Sequence, residues 1–222
     1  MPRSDNPNPN PNTSAGRRAA AQDDATAGYV DRRREILGAA AQVFKSRGLR
    51  GATFSHVAEL MGTDRASLYY YFSNKEEMFQ ELVSEAMREN LAAAEKIRGE
   101  DAPAPEKLRR LMEGLMASYG ETYPVLYVLI QENLSHVSPE QADWAEDMKR
   151  INRRYERILI DIIERGQREG TLRDSAPAWI LAYGVLGVFG WTNRWFNPAE
   201  TPATAQDIGR AFADALLDGL TA

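Results

Sequence analysis

TDRASLYYYFSNK, residues 63–75, sets three tyrosines and a phenylalanine side by side. In a helix, successive side chains step by about 100°, so four neighbours sweep most of the way round it and cannot all face one core. Leu68 and Phe72 lie four residues apart and share a face, which docks the segment onto its neighbours. Tyr69, Tyr70 and Tyr71 turn progressively away from that face. A phenol has a stiff side chain and a hydroxyl able to donate to a phosphate oxygen. Asp64 is suited to cap the helix start and, being acidic, to stay off a phosphate.

Upstream, Ile36, Leu37, Ala40, Val43 and Phe44 share one face of a helix expected over 31–47, with Gly48 as its stop. Thr53 caps a short second helix carrying Phe54, Val57, Ala58 and Leu60, and Gly62 breaks it before the third. Helix, tight break, helix is the size of unit that presents a recognition helix to the major groove. Downstream, SNKE (73–76) reads as a capping box, Ser73 accepting from the backbone and Glu76 reaching back. It opens a longer fourth helix with Met78, Leu82, Ala86 and Leu91 at helical spacing.

The net charge of -5 hides an asymmetry. Residues 1–75 carry 11 Lys and Arg against 7 Asp and Glu, and the remainder carries 16 against 25. A basic front joined to an acidic body suits a DNA-reading module fused to a second domain. The first 28 residues lack the apolar run of a signal peptide and, rich in Pro, Asn, Asp, Ala and Ser, read as a disordered tail. The absence of cysteine removes disulfides and thiolate metal sites and suits a cytoplasmic location.

Strand signals are almost absent, and the expected class is all-α. RGEDAPAPEK (98–107) reads as a linker, after which helices are expected at 105–121, 124–135, 141–169, 175–196 and 204–220. APAWILAYGVLGVFGWTN (176–193) carries no charge, but its proline, its three glycines and the lack of a second span favour a buried helix over a membrane one. Gly184, Gly187 and Gly190 leave a bare stripe for close approach of another helix, across a subunit interface or within one subunit. No glycine-rich phosphate loop and no metal-ligand spacing occurs. His56 and His136 are the only histidines and sit in unrelated contexts, so neither catalytic residues, metal nor cofactor is expected.

AAAQVFKSRGLRGATFSHVAELMGTDRASLYYYFSNKEEMFQELV resembles the N-terminal domain of the TetR family of transcriptional regulators, on Phe44, Gly48, Thr53, Val57-Ala58, Gly62, Leu68-Tyr69, Tyr71-Phe72 and Ser73-x-Lys75-Glu76. The resemblance implies a helix-turn-helix DNA-binding domain at 29–76, then a helical ligand-binding and dimerisation domain at 77–222. It implies phosphate contacts at Tyr69, Tyr71 and Lys75 and near Thr53 and Ser55, with Arg65, Ala66, Ser67 and Tyr70 toward base edges. It also implies a homodimer paired through the last two helices, where Gly184, Gly187, Phe212 and Leu216 are candidates. Aromatic and polar residues on helices that converge, namely Tyr119, Tyr123, Tyr127, Asn133, Trp144, Tyr155, Tyr183 and Trp191, are ligand candidates as well as core candidates.

The ending GWTNRWFNPAETPATAQDIGRAFADALLDGL is similar to that of TetR-family repressors of fatty-acid and steroid catabolism, several of which respond to acyl-coenzyme A. That similarity implies a tunnel with an arginine at its mouth, for which Arg194 and Arg150, Arg153, Arg154 and Arg157 are candidates. The expected function is a repressor that binds a palindromic operator as a dimer and is released by a small molecule such as an acyl-CoA. A regulator of drug efflux answering a cationic compound, and a helical interaction protein without DNA binding, are the alternatives. An enzyme is the disfavoured class.

Overall fold

The computed structural model describes residues 14–131 and 142–220, with side chains over 28–130 and 142–219. The described residues form an all-α chain of nine helices: α1 (Ser14–Gly51), α2 (Phe54–Met61), α3 (Arg65–Tyr69), α4 (Lys75–Gly99), α5 (Ala104–Glu121), α6 (Val125–Gln131), α7 (Ala142–Arg168), α8 (Ala178–Trp191) and α9 (Ala205–Leu220). None of these helices is long and apolar enough to cross a membrane.

The first helix begins at Ser14, so residues 14–28, expected in a disordered tail, continue α1 instead. Half of the run RAAAQDDA (18–25) is alanine, the best helix former. Residues 1–13 lie outside the described part. At Gly48, the expected stop, the helix breaks at φ 68°, a conformation that suits glycine, and a short further turn runs to Gly51.

Thr53 accepts from the His56 N–H as the cap of α2, and Gly62 ends that helix at φ 63°. The Thr63 N–H then reaches back to the Ala58 carbonyl, 3.0 Å. Asp64 caps α3 as expected, its carboxylate accepting from the Ser67 N–H and hydroxyl, both at 2.8 Å. The cap of α4 sits one residue later than the SNKE reading. Asn74 accepts from the Glu77 N–H, and Glu77 reaches back to the Ser73 N–H at 2.7 Å. Asn caps as well as Ser, and the shift leaves Lys75 as the first helical residue.

Two apolar cores share α4. Its first half, with Met78, Phe79 and Val83, joins Phe44, Phe54, Leu68 and Phe72 in the N-terminal core. Its second half, with Leu91, Ala94 and Ile97, joins α5, α7, α8 and α9. Val125 of α6 and Met148 of α7 complete the N-terminal core rather than the C-terminal one. Helix α9 lies along α5 with its small residues inward: a Cβ on Gly209 would stand 3.1 Å from the Met116 Cβ, and one on Gly120 would stand 2.6 Å from the Ala205 Cβ. Helix α8 ends at Trp191, short of the expected 196, because the chain tightens into a 3-10 turn over Thr192–Arg194.

Candidate nucleic-acid interface and ligand cavity

Helix α3 is held by its inner face. Leu68 and Phe72 are each 1% exposed, and burial of side chains of this size stabilises by about 1.5–3 kcal/mol each. The segment is helical only to Tyr69; Tyr70 caps it and Tyr71 lies in the following turn. Tyr70 is 75% exposed, the most outward of the three rings. Tyr69 leans its ring on Phe54, 4.7 Å between centroids, and the Arg65 guanidinium lies over the Tyr69 ring at 5.3 Å. The Arg65 Nε donates to the Tyr69 hydroxyl at 3.2 Å, which leaves that hydroxyl's own proton free to donate outward. Thr53, Ser55, Ala66 and Ser67 are exposed, as are Lys45, Arg47 and Arg50. Ser67 faces out but gives its proton to Asp64.

Two expected phosphate ligands are otherwise engaged. Tyr71 is half-buried and stacks on Tyr29, ring centroids 5.0 Å apart. Lys75 is turned from the surface: its ammonium donates to the carbonyls of Leu49, Arg50 and Ala52 at 2.8, 3.3 and 3.1 Å. An ammonium has three donors, and the last turn of α1 with Ala52 just beyond it takes them all. Lys75 therefore ties α4 to the α1–α2 connection.

One residue that sequence reasoning missed organises this surface. Arg33 of α1 donates its Nε to both Glu81 carboxylate oxygens at 3.1 Å, and an Nη to the Tyr71 carbonyl. Its guanidinium carbon lies 3.9 Å from the centre of the Phe72 ring. Arg33 thus clamps the end of the recognition segment to α1 and α4. In the sequence it is one of three consecutive arginines, 32–34, which charge patterning alone does not single out.

In the C-terminal half, a cavity of about 100 Å³ opens between α4, α5, α6, α7 and α8. Tyr119 and Tyr155 line it, with Asn90 and Asn152 and the apolar side chains of Leu126 and Ile151 among their neighbours. Burial pushes both phenols well above their ordinary range. The remaining ligand candidates are elsewhere. Tyr127 is core, its hydroxyl 2.7 Å from the Thr192 hydroxyl, and burial raises it to about 12. Tyr123 stands edge-on to Tyr127 and Phe196 at 5.8 and 6.5 Å.

Trp144 packs at the N-terminal core, where its indole N–H donates to the Ser84 hydroxyl at 2.9 Å. Tyr183 and Trp191 point outward from α8, and Arg194 lies over the exposed Trp191 at 5.5 Å. Asn133 lies outside the described residues. Asn90 and Asn152 were missed; each sits one turn from an apolar or aromatic lining residue, Met87 and Tyr155, and that spacing was the available signal.

The α7 arginines do not gather at the cavity. Arg150 pairs with Asp147, Arg153 with Glu146, Arg154 with Glu95 and Arg157 with Asp161, all on the exposed face of the fold. Arg150 and Arg157 pair one turn along α7, Arg153 pairs two turns back, and Arg154 reaches Glu95 of α4.

Helix α8 presents an uncovered apolar face. Trp179, Ile180, Tyr183 and Trp191 are exposed, and a Cβ on Gly184 or Gly187 would meet no atom within 4 Å. Phe212 and Leu216 of α9 are half-buried beside it, Phe212 edge-on to Phe189 at 5.7 Å. Among the described residues no group of His, Asp and Glu could hold a metal ion.

Residues 36–82 match the model of bacterial regulatory proteins of the tetR family, and residues 101–220 match that of the tetracyclin repressor-like C-terminal domain. The HTH-type transcriptional repressor KstR2 of Mycobacterium tuberculosis is 30% identical over 203 residues, covering 89% of this chain and 98% of that protein. The structure of the ketosteroid transcriptional regulator KstR2 of Mycobacterium tuberculosis superposes with a TM-score of 0.72 at 26% identity, covering 86% of this chain and 95% of that one. AibR, solved in complex with isovaleryl coenzyme A and operator DNA, shares the fold with a TM-score of 0.66 at 20% identity, over 86% of this chain and 98% of that one.

Proposed function

The chain belongs to the TetR family and is a DNA-binding transcriptional regulator, not an enzyme; we propose that it is a dimeric repressor released from a palindromic operator by a small hydrophobic inducer. In this reading residues 29–76 read DNA, and residues 77–222 hold the inducer and pair the subunits. The observation that carries it is the division of residues 64–75 by direction. Leu68 and Phe72 are buried, while Arg65 and Tyr69, joined by a hydrogen bond, and Tyr70 are exposed. Arg65 has the fork geometry to read a guanine, Ala66 can touch a thymine methyl, and the Tyr69 hydroxyl can donate to a phosphate.

The uncovered face of α8 supports pairing with a second copy through α8 and α9, with Gly184 and Gly187 permitting close approach. Two-fold pairing would set the recognition segments about one DNA turn apart, roughly 34 Å, and call for a palindromic site. An acyl-CoA inducer is supported by the isovaleryl coenzyme A held by AibR, a protein of the same fold. A cationic drug is disfavoured, because the cavity has no carboxylate among its described lining residues.

Selection of bound sequences from a randomised duplex pool tests the reading. The expected result is a dyad-symmetric site whose binding, at fixed salt, falls at least tenfold on Arg65→Ala and Tyr69→Ala together. Selected sequences without a dyad, or undiminished binding by the double variant, would refute it. Fluorescence anisotropy on the selected duplex with isovaleryl coenzyme A and longer thioesters then tests release.

A further inference from the structure

Tyr29 of α1 lies ahead of residues 36–82, the stretch that matches the family's DNA-binding module, yet its ring belongs with the recognition segment. It stacks on Tyr71 with ring centroids 5.0 Å apart and planes 26° from parallel. Tyr70 then meets both rings edge-on, 6.0 Å from Tyr29 at 76° and 5.1 Å from Tyr71 at 82°. Stacked and T-shaped pairs at these separations are the arrangements that the ring quadrupole favours. Tyr71 is half-buried and Tyr29 is 36% exposed, while Tyr70 is the outermost of the three.

The backbone beneath these rings is fixed separately. The Tyr71 and Phe72 N–H groups both donate to the Leu68 carbonyl at 3.0 Å, and Arg33 donates to the Tyr71 carbonyl. Those bonds leave the side-chain torsions of Tyr70 unconstrained. An exposed phenol with free torsions loses that freedom on meeting DNA, which costs affinity. The two edge-on contacts restrict Tyr70 beforehand, and Tyr71, one of its two partners, is itself held face to face by Tyr29. Tyr29 sits one turn before Arg33 on α1, so the helix that anchors the backbone of the segment also anchors its rings.

We propose that Tyr29 is a positioning residue for operator recognition, fixing the direction of the Tyr70 ring through its contacts with Tyr70 and Tyr71. These contacts use the ring of Tyr29 and not its hydroxyl. Tyr29 itself touches no phosphate in this role and acts only through Tyr70. This rests on the reading of Tyr70 as a residue turned toward base edges.

The test uses the full chain and the duplex obtained by selection, with anisotropy at fixed salt, a salt series and a repeat selection for each variant. Tyr70→Ala is expected to weaken binding and to relax base preference at particular positions of the site. Tyr29→Ala should weaken binding about 3- to 10-fold and relax preference at those same positions. The slope of log affinity against log salt should not change. Tyr29→Leu keeps apolar bulk without the aromatic faces and should behave alike, which separates the effect from a loss of folding peculiar to alanine. Tyr29→Phe should bind as the unaltered chain does. The deciding measurement is the double variant: with Tyr70 already alanine, Tyr29→Ala should cost less than about twofold more, since no ring is left to position. A full additional loss in that background overturns the proposal. So does a lowered salt slope, which would make Tyr29 a phosphate ligand, or a loss from Tyr29→Phe equal to that from Tyr29→Ala. Unchanged affinity and preference in Tyr29→Ala overturns it too. Each of these outcomes leaves Tyr70 as a DNA contact. If Tyr70→Ala itself alters neither affinity nor preference, the fault lies in the reading of Tyr70, and the proposal falls with it.

Discussion

Replacing Arg33 by methionine keeps the length of the side chain and deletes its charge and donors. The guanidinium is 23% exposed on the side-chain scale and serves Glu81, Glu77 and the Tyr71 carbonyl while covering Phe72. Bonds to charged groups are worth about 1.5–3 kcal/mol, and an unpaired carbonyl costs about 1–3 kcal/mol. The stacking on Phe72 adds about 0.5–1 kcal/mol. Both glutamates are about a third exposed, so water recovers much of their loss. A net cost of about 2–4 kcal/mol follows once these overlapping losses are discounted. For a chain of 222 residues that lowers Tm by about 5–15 °C.

On the proposed reading, operator affinity should fall at least tenfold as well, because the clamped segment carries the tyrosines assigned to DNA. Arg33 faces Glu81 and Phe72 rather than the outer surface, so the slope of log affinity against log salt should not change. Arg33→Lys keeps the charge but loses the fork, and should fall between the two. Thermal unfolding by circular dichroism and anisotropy across a salt series measure both quantities. A Tm within 2 °C of the unaltered chain (a margin of about 1 kcal/mol), or a salt slope reduced by one phosphate contact, would refute the clamp.

Trp191→Asp places a charge on the uncovered face of α8 and should convert a dimer to monomer in light scattering, with little change in helix content. Gly209→Val must push α5 away, since a Cβ there meets the Glu113 Cα at 3.2 Å, and should destabilise by about 1–3 kcal/mol. Gly184→Val meets nothing within one subunit, so any loss it causes should appear in dimer affinity and not in the stability of the isolated chain. Asp64 is held below the usual carboxylate range by the Ser67 N–H and hydroxyl. A lowered folded-state pKa contributes stability above the ordinary range that is lost as pH falls through the lowered value, so Asp64→Asn should flatten the acid limb of a Tm-against-pH curve.

The helix-turn-helix was legible because its signals are local. Thr53, Gly62 and Asp64 each act within three residues of themselves, and the Leu68–Phe72 spacing requires one inward face. The α4 cap was misread by one residue because Ser73 and Asn74 are both good caps and the choice depends on how Phe72 docks. Lys75 and Trp144 were misplaced for a different reason. Their partners are 23 to 26 and 60 to 64 residues away in the chain, and periodicity carries no information about them. The cavity residues fared worst, since an aromatic on an apolar face looks alike whether it lines a space, as Tyr155 does, or fills one, as Tyr127 does.

How a 100 Å³ space could govern DNA follows from where α6 sits. Val125 is buried in the N-terminal core, Leu126 lines the cavity, and Tyr127 is buried in the C-terminal core. Three consecutive residues of one helix, pointing about 100° apart, serve three environments. Close packing leaves little slack, so a displaced Leu126 cannot leave Val125 where it was. Val125 shares its core with Leu68 and Phe72, the inner face of the recognition segment. A second route runs through α7: Ile151 lines the cavity, and Met148, one turn away, is buried in the N-terminal core against Ser84 of α4. An inducer shifts this balance only by its preference for one arrangement of these walls over the other. On the proposed reading of the cavity as the inducer's site, the α6 and α7 contacts carry that preference to the recognition segment, and widening Val125 to phenylalanine should weaken operator binding without any ligand present, by overpacking the N-terminal core.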